Sequence, residues 1–236
     1  MYQPANSATG SSLPTVAGLA LIPRSHGNSA HWPIRGWQAV AKRLIDIVIA
    51  VVGLLVAGIP LLIAAVAIHL ESPGPILFRQ RRIGFANVGF EMWKLRTMYH
   101  VPAQPGRLVQ ARRDDPRITR VGAWLRRSSL DELPQLINIL RGEMSVVGPR
   151  PHAPGTCAGG KLFELITPHY PARHRAPPGL TGLAQVRGWR GETDTEDKLL
   201  RRVEADLEYI ENWSIWLDLS ILARTFMALP VIRNAY

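Results

Sequence analysis

The chain has 236 residues and carries 28 Lys and Arg against 18 Asp and Glu, which gives a formal net charge of +10. That length suits one sizeable domain, or a smaller domain with an anchor and a tail. The basic excess indicates an anionic partner, and nucleic acid, an anionic membrane face and a phosphorylated substrate all qualify. The single cysteine, Cys157, excludes an intramolecular disulfide and a cysteine-based zinc cluster.

The first forty residues are rich in Ser, Ala, Gly and Pro and show no sustained helical or strand period. We therefore predict a flexible tail over residues 1–40. Its apolar stretch "LPTVAGLALIP" has no basic segment before it, which argues against a secretory signal. Trp32 and Trp37 are candidates for a membrane interface, with coverage of a core as the alternative.

A run of 22 residues, Ile47 to Ile68, contains no charged residue. As a helix it would measure roughly 33 Å, enough to cross the hydrocarbon core of a bilayer. Pro60 lies inside the run and predicts a break, because proline removes a backbone hydrogen bond. Basic residues flank both ends, as cytoplasmic flanks do, so we predict a re-entrant membrane helix over residues 41–71. A helix that spans the membrane is the alternative.

Two short apolar-aromatic runs follow, Ile76 to Gln80 and Phe90 to Leu95, with Gly84 and Gly89 between them. This pattern predicts a β-hairpin with a longish loop. At the end of the second run, Lys94 and Arg96 alternate with Trp93 and Leu95, as on a strand with one solvent-exposed face. A cationic face for a phosphate and simple solvated charge are the two interpretations.

An adjacent acidic pair, Asp131 and Glu132, stands in "RRSSLDELPQL". The segment S-L-D-E matches a capping box, with Ser129 as N-cap of a helix that continues to Gly142. Asp131 would then lie at the second helical position, where the helix dipole keeps an aspartate ionised. The same geometry suits chemistry on a phosphate, since one carboxylate can act as a nucleophile and its neighbour can hold Mg²⁺. The charge pattern alone leaves capping and catalysis open.

Two further carboxylates lie in or beside apolar stretches. We expect Asp46 at the membrane interface, paired with Lys42 or Arg43. Asp218 stands in the mostly apolar "WSIWLDLSILARTF". A carboxylate there is expected to be paired or bound to a metal, with a plain helix N-terminal aspartate after Ser214 as the alternative.

Six blocks, in order, resemble the bacterial sugar transferase family, the polyprenyl-phosphate hexose-1-phosphate transferases or monotopic phosphoglycosyl transferases. The blocks cover roughly four-fifths of the chain, and it is their combination that is specific. They read "KRLIDIVIAVVGLL", "SPGPILFRQRRIG", "KLRTM", "DPRITRVGAWLRRSSLDELPQLINILRGEMSVVGPRP", "PPGLTGLAQVRGWRGETDT" and "DLEYIENWSIWLDLSIL".

The resemblance implies transfer of a hexose-1-phosphate, glucose or galactose, from a UDP-sugar to undecaprenyl phosphate. UMP would be released, and the product would initiate exopolysaccharide, capsule or O-antigen synthesis. In the family's motif the aspartate is the nucleophile, here Asp131, which forms a covalent phosphosugar intermediate. Glu132, together with Asp131, is implied to hold Mg²⁺.

The motifs also imply further functional positions by residue. Substrate-binding roles fall on Lys94, Arg126, Arg150 and Asp218, and Pro60 is implied to break the membrane helix. "VRGWRGETDT" is similar to the version in members that use UDP-glucose or UDP-galactose. Its two arginines, 187 and 190, are candidates for phosphate or sugar contacts, with solvated loop charge as the alternative.

The implied fold is α+β and mainly helical. A re-entrant membrane helix, a small β-hairpin and amphipathic interfacial helices would surround a cytoplasmic catalytic domain over residues 72–236. The resemblance places the protein at the cytoplasmic face of the bacterial inner membrane. Its partners would be a UDP-sugar, undecaprenyl phosphate and membrane lipids, without nucleic acid, and a homodimer is compatible with it.

The chain departs from the family at two positions, and two other classes of protein remain as alternatives. Ile59 precedes the helix-breaking proline where relatives often have serine, and Glu143 replaces the more usual aspartate. The basic charge and the anchor would also suit a membrane-tethered nucleic-acid-binding protein, although the dispersed arginines and the lack of a recognition-helix motif argue against it. A non-catalytic membrane scaffold is the other alternative.

Overall fold

The computed structural model describes residues 34, 36–100 and 115–228, so the predicted tail lies mostly outside the described residues. The helices are α1 Trp37–Glu71, α2 Arg120–Ser128, α3 Gln135–Arg141, α4 Phe163–Ile166, α5 Leu183–Val186, α6 Glu196–Glu211 and α7 Ile215–Ala228. The strands are β1 Leu77–Ile83, β2 Gly89–Leu95, β3 Ser145–Val147, β4 Cys157–Ala158, β5 Lys161–Leu162 and β6 Gly179–Thr181. Short 3₁₀ turns cover Phe85–Asn87, Leu130–Glu132 and Tyr170–Arg175. The predicted mainly helical architecture with small sheets is confirmed.

Helix α1 is the long apolar element that the sequence predicts. It has 35 residues, and 17% of its most apolar window, with a mean hydropathy of 2.9, is buried. By length and composition it could cross a membrane, and its exposure excludes an ordinary core helix. Pro60 lies inside α1, and helical structure is present on both sides of it. The break at Pro60 and the re-entry stay predictions.

Both halves of α1 pack on the same globular body. In the first half, Ala50 is fully buried in a core cluster that includes Ile139 of α3. In the second half, Ala64 and Ile68 share another cluster with Leu125 of α2. The opposite face of α1 exposes large apolar side chains along its whole length, from Trp37 to Leu70. The helix therefore lies along the domain and presents an apolar face outward.

Strands β1 and β2 form the predicted antiparallel hairpin, with Phe78 opposite Lys94 and Arg82 opposite Phe90. Cross-strand partners point to the same face of a sheet, and side chains alternate with a period of two. Arg82 and Lys94 therefore belong to one face of the hairpin.

Strands β3 and β6 pair in parallel, and the chain runs from the end of β3 to Arg150. The backbones approach closely just after β3, where a side chain at Gly148 would meet the Pro177 carbonyl oxygen at 2.3 Å. A side chain at Gly179 would meet the Gly148 amide nitrogen at 2.1 Å. Only glycine fits at these two positions, and the contact sets where the segment carrying Arg150 leaves the sheet.

Apolar residues recur at helical spacing from Lys198 to Ile210, which predicts an amphipathic helix, and α6 confirms it. Leu199, Val203 and Ile210 are buried, whereas Leu200 is 43% exposed. Helix α7 differs from α6 because it exposes large apolar side chains: Trp216 is 80% exposed and Phe226 is 67% exposed. The apolar side of α6 therefore packs in the core, whereas α7 has an exposed apolar surface like that of α1.

Candidate active site

The acidic pair does not begin an α-helix, so the predicted capping box is wrong. Ser129 adopts a left-handed conformation, φ 58° and ψ 15°, and closes α2 by donating its backbone N–H to the Arg126 carbonyl. Its side chain caps no helix N-terminus. Asp131 and Glu132 lie in the 3₁₀ turn that follows, and α3 starts only at Gln135, after Pro134. The S-L-D-E segment is a sharp turn between two helices.

Glu132 is clamped by two cations from separate parts of the chain. Lys94 of β2 donates to Glu132 Oε1 at 2.8 Å. Arg150 donates to both carboxylate oxygens, to Oε2 at 3.3 Å and to Oε1 through a shorter contact. Burial alone would raise the pKa of Glu132, but Arg150 and Lys94 outweigh it and hold the pKa well below the usual range. Glu132 is therefore an anion throughout the neutral pH range.

Asp131 has the opposite character. Burial raises the pKa of its carboxyl to about 6, with Lys94 opposing the rise and Glu132 adding to it. No α-helix begins at Asp131, so the predicted stabilisation of its anion by a helix dipole is wrong. No described residue donates a hydrogen bond to its carboxylate, although Arg126 and Arg150 lie near enough to influence its pKa. A buried carboxylate without hydrogen-bond donors keeps its lone pairs available to an electrophile or a metal ion.

Two more arginines complete the surroundings. Arg126 donates from Nε to Thr97 Oγ1 at 2.9 Å, which orients it beside the turn that carries Asp131. Arg82 was not singled out from the sequence, yet burial and then Arg150 lower its pKa to about 10, with Glu132 opposing. Its acceptors are neutral, Pro151 O at 3.3 Å and Gln80 Oε1 at 2.5 Å. Its place on the Lys94 face of the hairpin is the signal that could have found it.

The segment that carries Arg150 is held by a buried ion pair. Arg173 donates to Asp206 Oδ2 from Nη2 at 2.5 Å and from Nε at 3.0 Å. Its Nη2 also donates to the Arg150 carbonyl oxygen at 2.8 Å. Arg173 and Asp206 thus fix the backbone of the residue that clamps Glu132, which the sequence pattern did not indicate.

Asp218 belongs to a different polar cluster, at the start of α1. It accepts from Lys42 Nζ at 2.7 Å and from the Tyr209 hydroxyl at 2.8 Å. Asp218 is therefore buried and paired, as one interpretation of its sequence context required. Its predicted role in substrate binding stays a prediction, and its described partners are residues of α1 and α6.

Asp46 lies in the same region and is 5% exposed, so it is buried in the protein and not exposed at a lipid interface as expected. Its expected pairing with Lys42 is confirmed. It accepts from Ser145 Oγ and from the Val146 amide, both at 3.0 Å, and Lys42 Nζ is 4.0 Å away. The cost of burying it is offset by these bonds to β3. A cavity of about 170 Å³ adjoins the cluster, and none of its lining residues belongs to the acidic pair or its cations.

The acidic pair can provide some, but not all, of the ligands of a metal ion. Within residues 34, 36–100 and 115–228 there is no group of three or more His, Cys, Asp or Glu placed to hold one. Mg²⁺ is often held by one or two carboxylates with substrate phosphates completing its shell, and the pair meets that requirement. Glu132 already receives Lys94 and Arg150, so Asp131 offers the open carboxylate.

The fold brings four cations around two carboxylates, next to an apolar face built by α1. The class of protein so defined is a membrane-associated one with a cationic site around an acidic pair. The chain belongs to the bacterial sugar transferase family, whose family model matches residues 37–231.

Three relatives place the chain within that family. It is 50% identical over 204 residues to an undecaprenyl-phosphate glucose phosphotransferase of Komagataeibacter xylinus, which covers 86% of this chain and 38% of that protein. It is 51% identical over 195 residues to a UDP-glucose:undecaprenyl-phosphate glucose-1-phosphate transferase of Caulobacter vibrioides, covering 83% of this chain and 72% of that one. It is 47% identical over 189 residues to the exopolysaccharide production protein PSS of Rhizobium leguminosarum bv. phaseoli, covering 80% and 94%. The chain thus spans well under two thirds of the first relative.

Proposed function

We propose that the protein is a phosphoglycosyl transferase that moves glucose-1-phosphate from UDP-glucose to undecaprenyl phosphate. The observation that carries the proposal is the charge at the site. Lys94, Arg82, Arg126 and Arg150 surround two carboxylates, and the resulting surplus of two positive charges matches the two charges of a nucleoside diphosphate sugar. Relatives named for this reaction support the choice of substrates and of glucose.

The reaction would proceed in two displacements at phosphorus. An Asp131 oxygen attacks the phosphorus that bears the sugar, the bond to the bridging oxygen breaks, and UMP leaves with the bonding electrons. The sugar-1-phosphate is then held on Asp131 as an acyl phosphate. A phosphate oxygen of undecaprenyl phosphate attacks the same phosphorus, which releases the Asp131 carboxylate and forms the lipid diphosphate sugar.

The clamp on Glu132 would prepare the cations for this chemistry. Lys94 and Arg150 are held at the site by Glu132 before the donor arrives, so little ordering is needed when the diphosphate binds. Asp131 and Glu132 are the residues that would hold Mg²⁺. A bound Mg²⁺ supplies charge neutralisation to the diphosphate.

We further propose that α1 re-enters the membrane from the cytoplasmic face of the inner membrane. Both halves of α1 pack on the same globular body. That body is rich in charge and cannot enter lipid, so it holds both ends of the helix on one side. The outward apolar residues of α1 and α7 would then lie in the bilayer, where a polyprenyl acceptor resides.

The test is UMP release by the detergent-solubilised protein with Mg²⁺, undecaprenyl phosphate and a panel of UDP-sugars. UDP-glucose should give the fastest release, EDTA should abolish it, and Asp131→Asn should be inactive. Near-wild-type turnover by Asp131→Asn would refute the nucleophile assignment. No UMP from any sugar, together with salt-dependent retention on DNA, would favour the nucleic-acid alternative.

The lipid diphosphate sugar formed in this reaction would initiate exopolysaccharide synthesis.

A further inference from the structure

The loop between α5 and α6 reaches the turn that carries Asp131. Arg190 donates from Nη2 to Ser129 Oγ at 2.9 Å, two residues before Asp131. The other arginine of the loop, Arg187, forms an exposed ion pair with Glu208 on α6. The structure therefore separates two arginines that the sequence treats alike, because one faces the catalytic turn and the other faces solvent.

The loop is built to hold Arg190 in place. Gly188 and Gly191 flank its tip with φ values of +89° and +91°, a conformation that other residues rarely adopt. Arg202 of α6 donates to the Gly191 carbonyl oxygen at 2.7 Å and also to Thr193 Oγ1. A side chain mounted on such a clamped loop is pre-organised to bind a ligand.

Arg190 also retains an unused donor. Its Nε is buried and has no hydrogen-bond partner among the described residues. A buried N–H without an acceptor is unfavourable, so a ligand oxygen that accepts from it would relieve a penalty already present in the free protein. The charges that act most on Asp131 come from Lys94, Glu132 and Arg126, which leaves Arg190 outside the group that meets the phosphates.

We propose that Arg190 binds a hydroxyl group of the hexose in the donor and so determines sugar specificity. The inference rests on the proposed function, since a sugar phosphate linked to Asp131 must extend from this turn. The phosphates would bind to the four cations around the acidic pair. The sugar would extend past Ser129 toward the loop between α5 and α6. The ligand class is the neutral hexose portion of a nucleoside diphosphate sugar.

The experiment compares Arg190→Ala with Arg187→Ala, a control from the same loop. Arg190→Ala should lower kcat/KM for UDP-glucose by about 10- to 100-fold, the effect of one charge-assisted hydrogen bond. Its Kd for UDP, which lacks the sugar, should stay within about twofold of wild type, because the phosphate contacts are intact. Arg187→Ala should change neither quantity, and thermal melting should show that both variants are folded.

Ser129→Ala separates ligand binding from a purely positioning role. It removes the hydroxyl that Arg190 touches but keeps the guanidinium, so it should retain most of the activity on UDP-glucose. The inference is overturned if Ser129→Ala reproduces the loss in Arg190→Ala, or if Arg190→Ala weakens UDP binding as much as catalysis. It is also overturned if Arg190→Ala keeps the wild-type kcat/KM. A wild-type protein that releases no UMP from any UDP-sugar would instead refute the proposed function.

Discussion

Lys94 Nζ lies 2.8 Å from Glu132 Oε1, and this ion pair separates the roles of two neighbouring carboxylates. Glu132 is satisfied by cations, whereas no described residue donates a hydrogen bond to Asp131. The pKa of Glu132 lies well below its usual range and that of Asp131 is raised to about 6. Adjacent residues in one turn therefore have opposite electrostatic environments, and the pattern is typical of a site that divides anchoring from nucleophilic attack.

Replacing Asp131, the proposed nucleophile, should stabilise the protein while it removes activity. The folded-state pKa of Asp131 is raised, so the ionised carboxylate destabilises the fold at neutral pH, and this penalty is absent below the unfolded pKa. Asp131→Asn should raise the Tm at pH 8, with a gain in the free energy of unfolding of at most about 3 kcal/mol. Melting curves at pH 8 and pH 4 test this, and a gain that is equal at both values would contradict it.

Glu132→Gln should have the opposite effect on stability. The folded-state pKa of Glu132 is lowered, so its contribution is present above the unfolded pKa and is lost as the pH falls. The substitution leaves Lys94 and Arg150 without a buried anion, which typically costs about 3 kcal/mol. We expect a lower Tm at pH 8 and a smaller difference at pH 4. Equal Tm values for Glu132→Gln and wild type at pH 8 would mean that the clamp is not formed in solution.

The donor half-reaction should depend on the ionisation of Asp131. Its carboxylate must be deprotonated to attack, and its pKa in the free protein is about 6. The second-order rate constant of the UMP burst should therefore fall about tenfold per pH unit below that value and level off above pH 7. The assay omits undecaprenyl phosphate and follows the single burst of UMP, so that titration of the acceptor does not contribute. A profile that is flat from pH 5 to pH 8 would show that Asp131 is not the titrating nucleophile.

The buried pair between Lys42 and Asp218 should anchor the start of α1. Lys42→Met leaves Asp218 and Asp46 without their buried cation and should lower the free energy of unfolding by about 3–5 kcal/mol. Asp218→Leu leaves Lys42 only the 4.0 Å contact with Asp46 and should also be destabilising. The double variant should lose much less than the sum of the two, because both charges are then absent. Denaturant unfolding measures the cycle, and strictly additive losses would argue against a direct pair. Arg187→Ala, which removes an exposed pair, serves as the near-neutral control.

Labelling of single cysteines tests the re-entry of α1. Trp37 and Leu70 stand near its two ends and are 71% and 79% exposed. In a Cys157→Ser background, Trp37→Cys and Leu70→Cys should react with an impermeant maleimide from the same side of the membrane. In a parallel experiment on the wild-type protein, the thiol of Cys157, which is exposed on the globular body, marks the side on which the domain lies. Labelling of the two ends from opposite sides would establish a spanning helix.

Local patterns in the sequence were enough for the hairpin, the long apolar helix and the amphipathic α6. In each case the signal is periodic or compositional and depends on neighbours in the chain. The prediction of a capping box was wrong because a four-residue motif does not determine the backbone conformation of Ser129. The left-handed φ of that residue closes the preceding helix instead of opening the next one.

The sequence by itself determined the chemistry that the chain can offer: a carboxylate pair, an excess of cations and an apolar anchor. Only the tertiary structure decided which residues meet, because Lys94, Glu132 and Arg150 are brought together from a strand, a turn and a loop. The tertiary structure also pairs Asp218 with Lys42. It places Arg190 against Ser129 and Arg187 in an exposed ion pair with Glu208. Such long-range pairings depend on packing between distant segments, and no local periodicity encodes them.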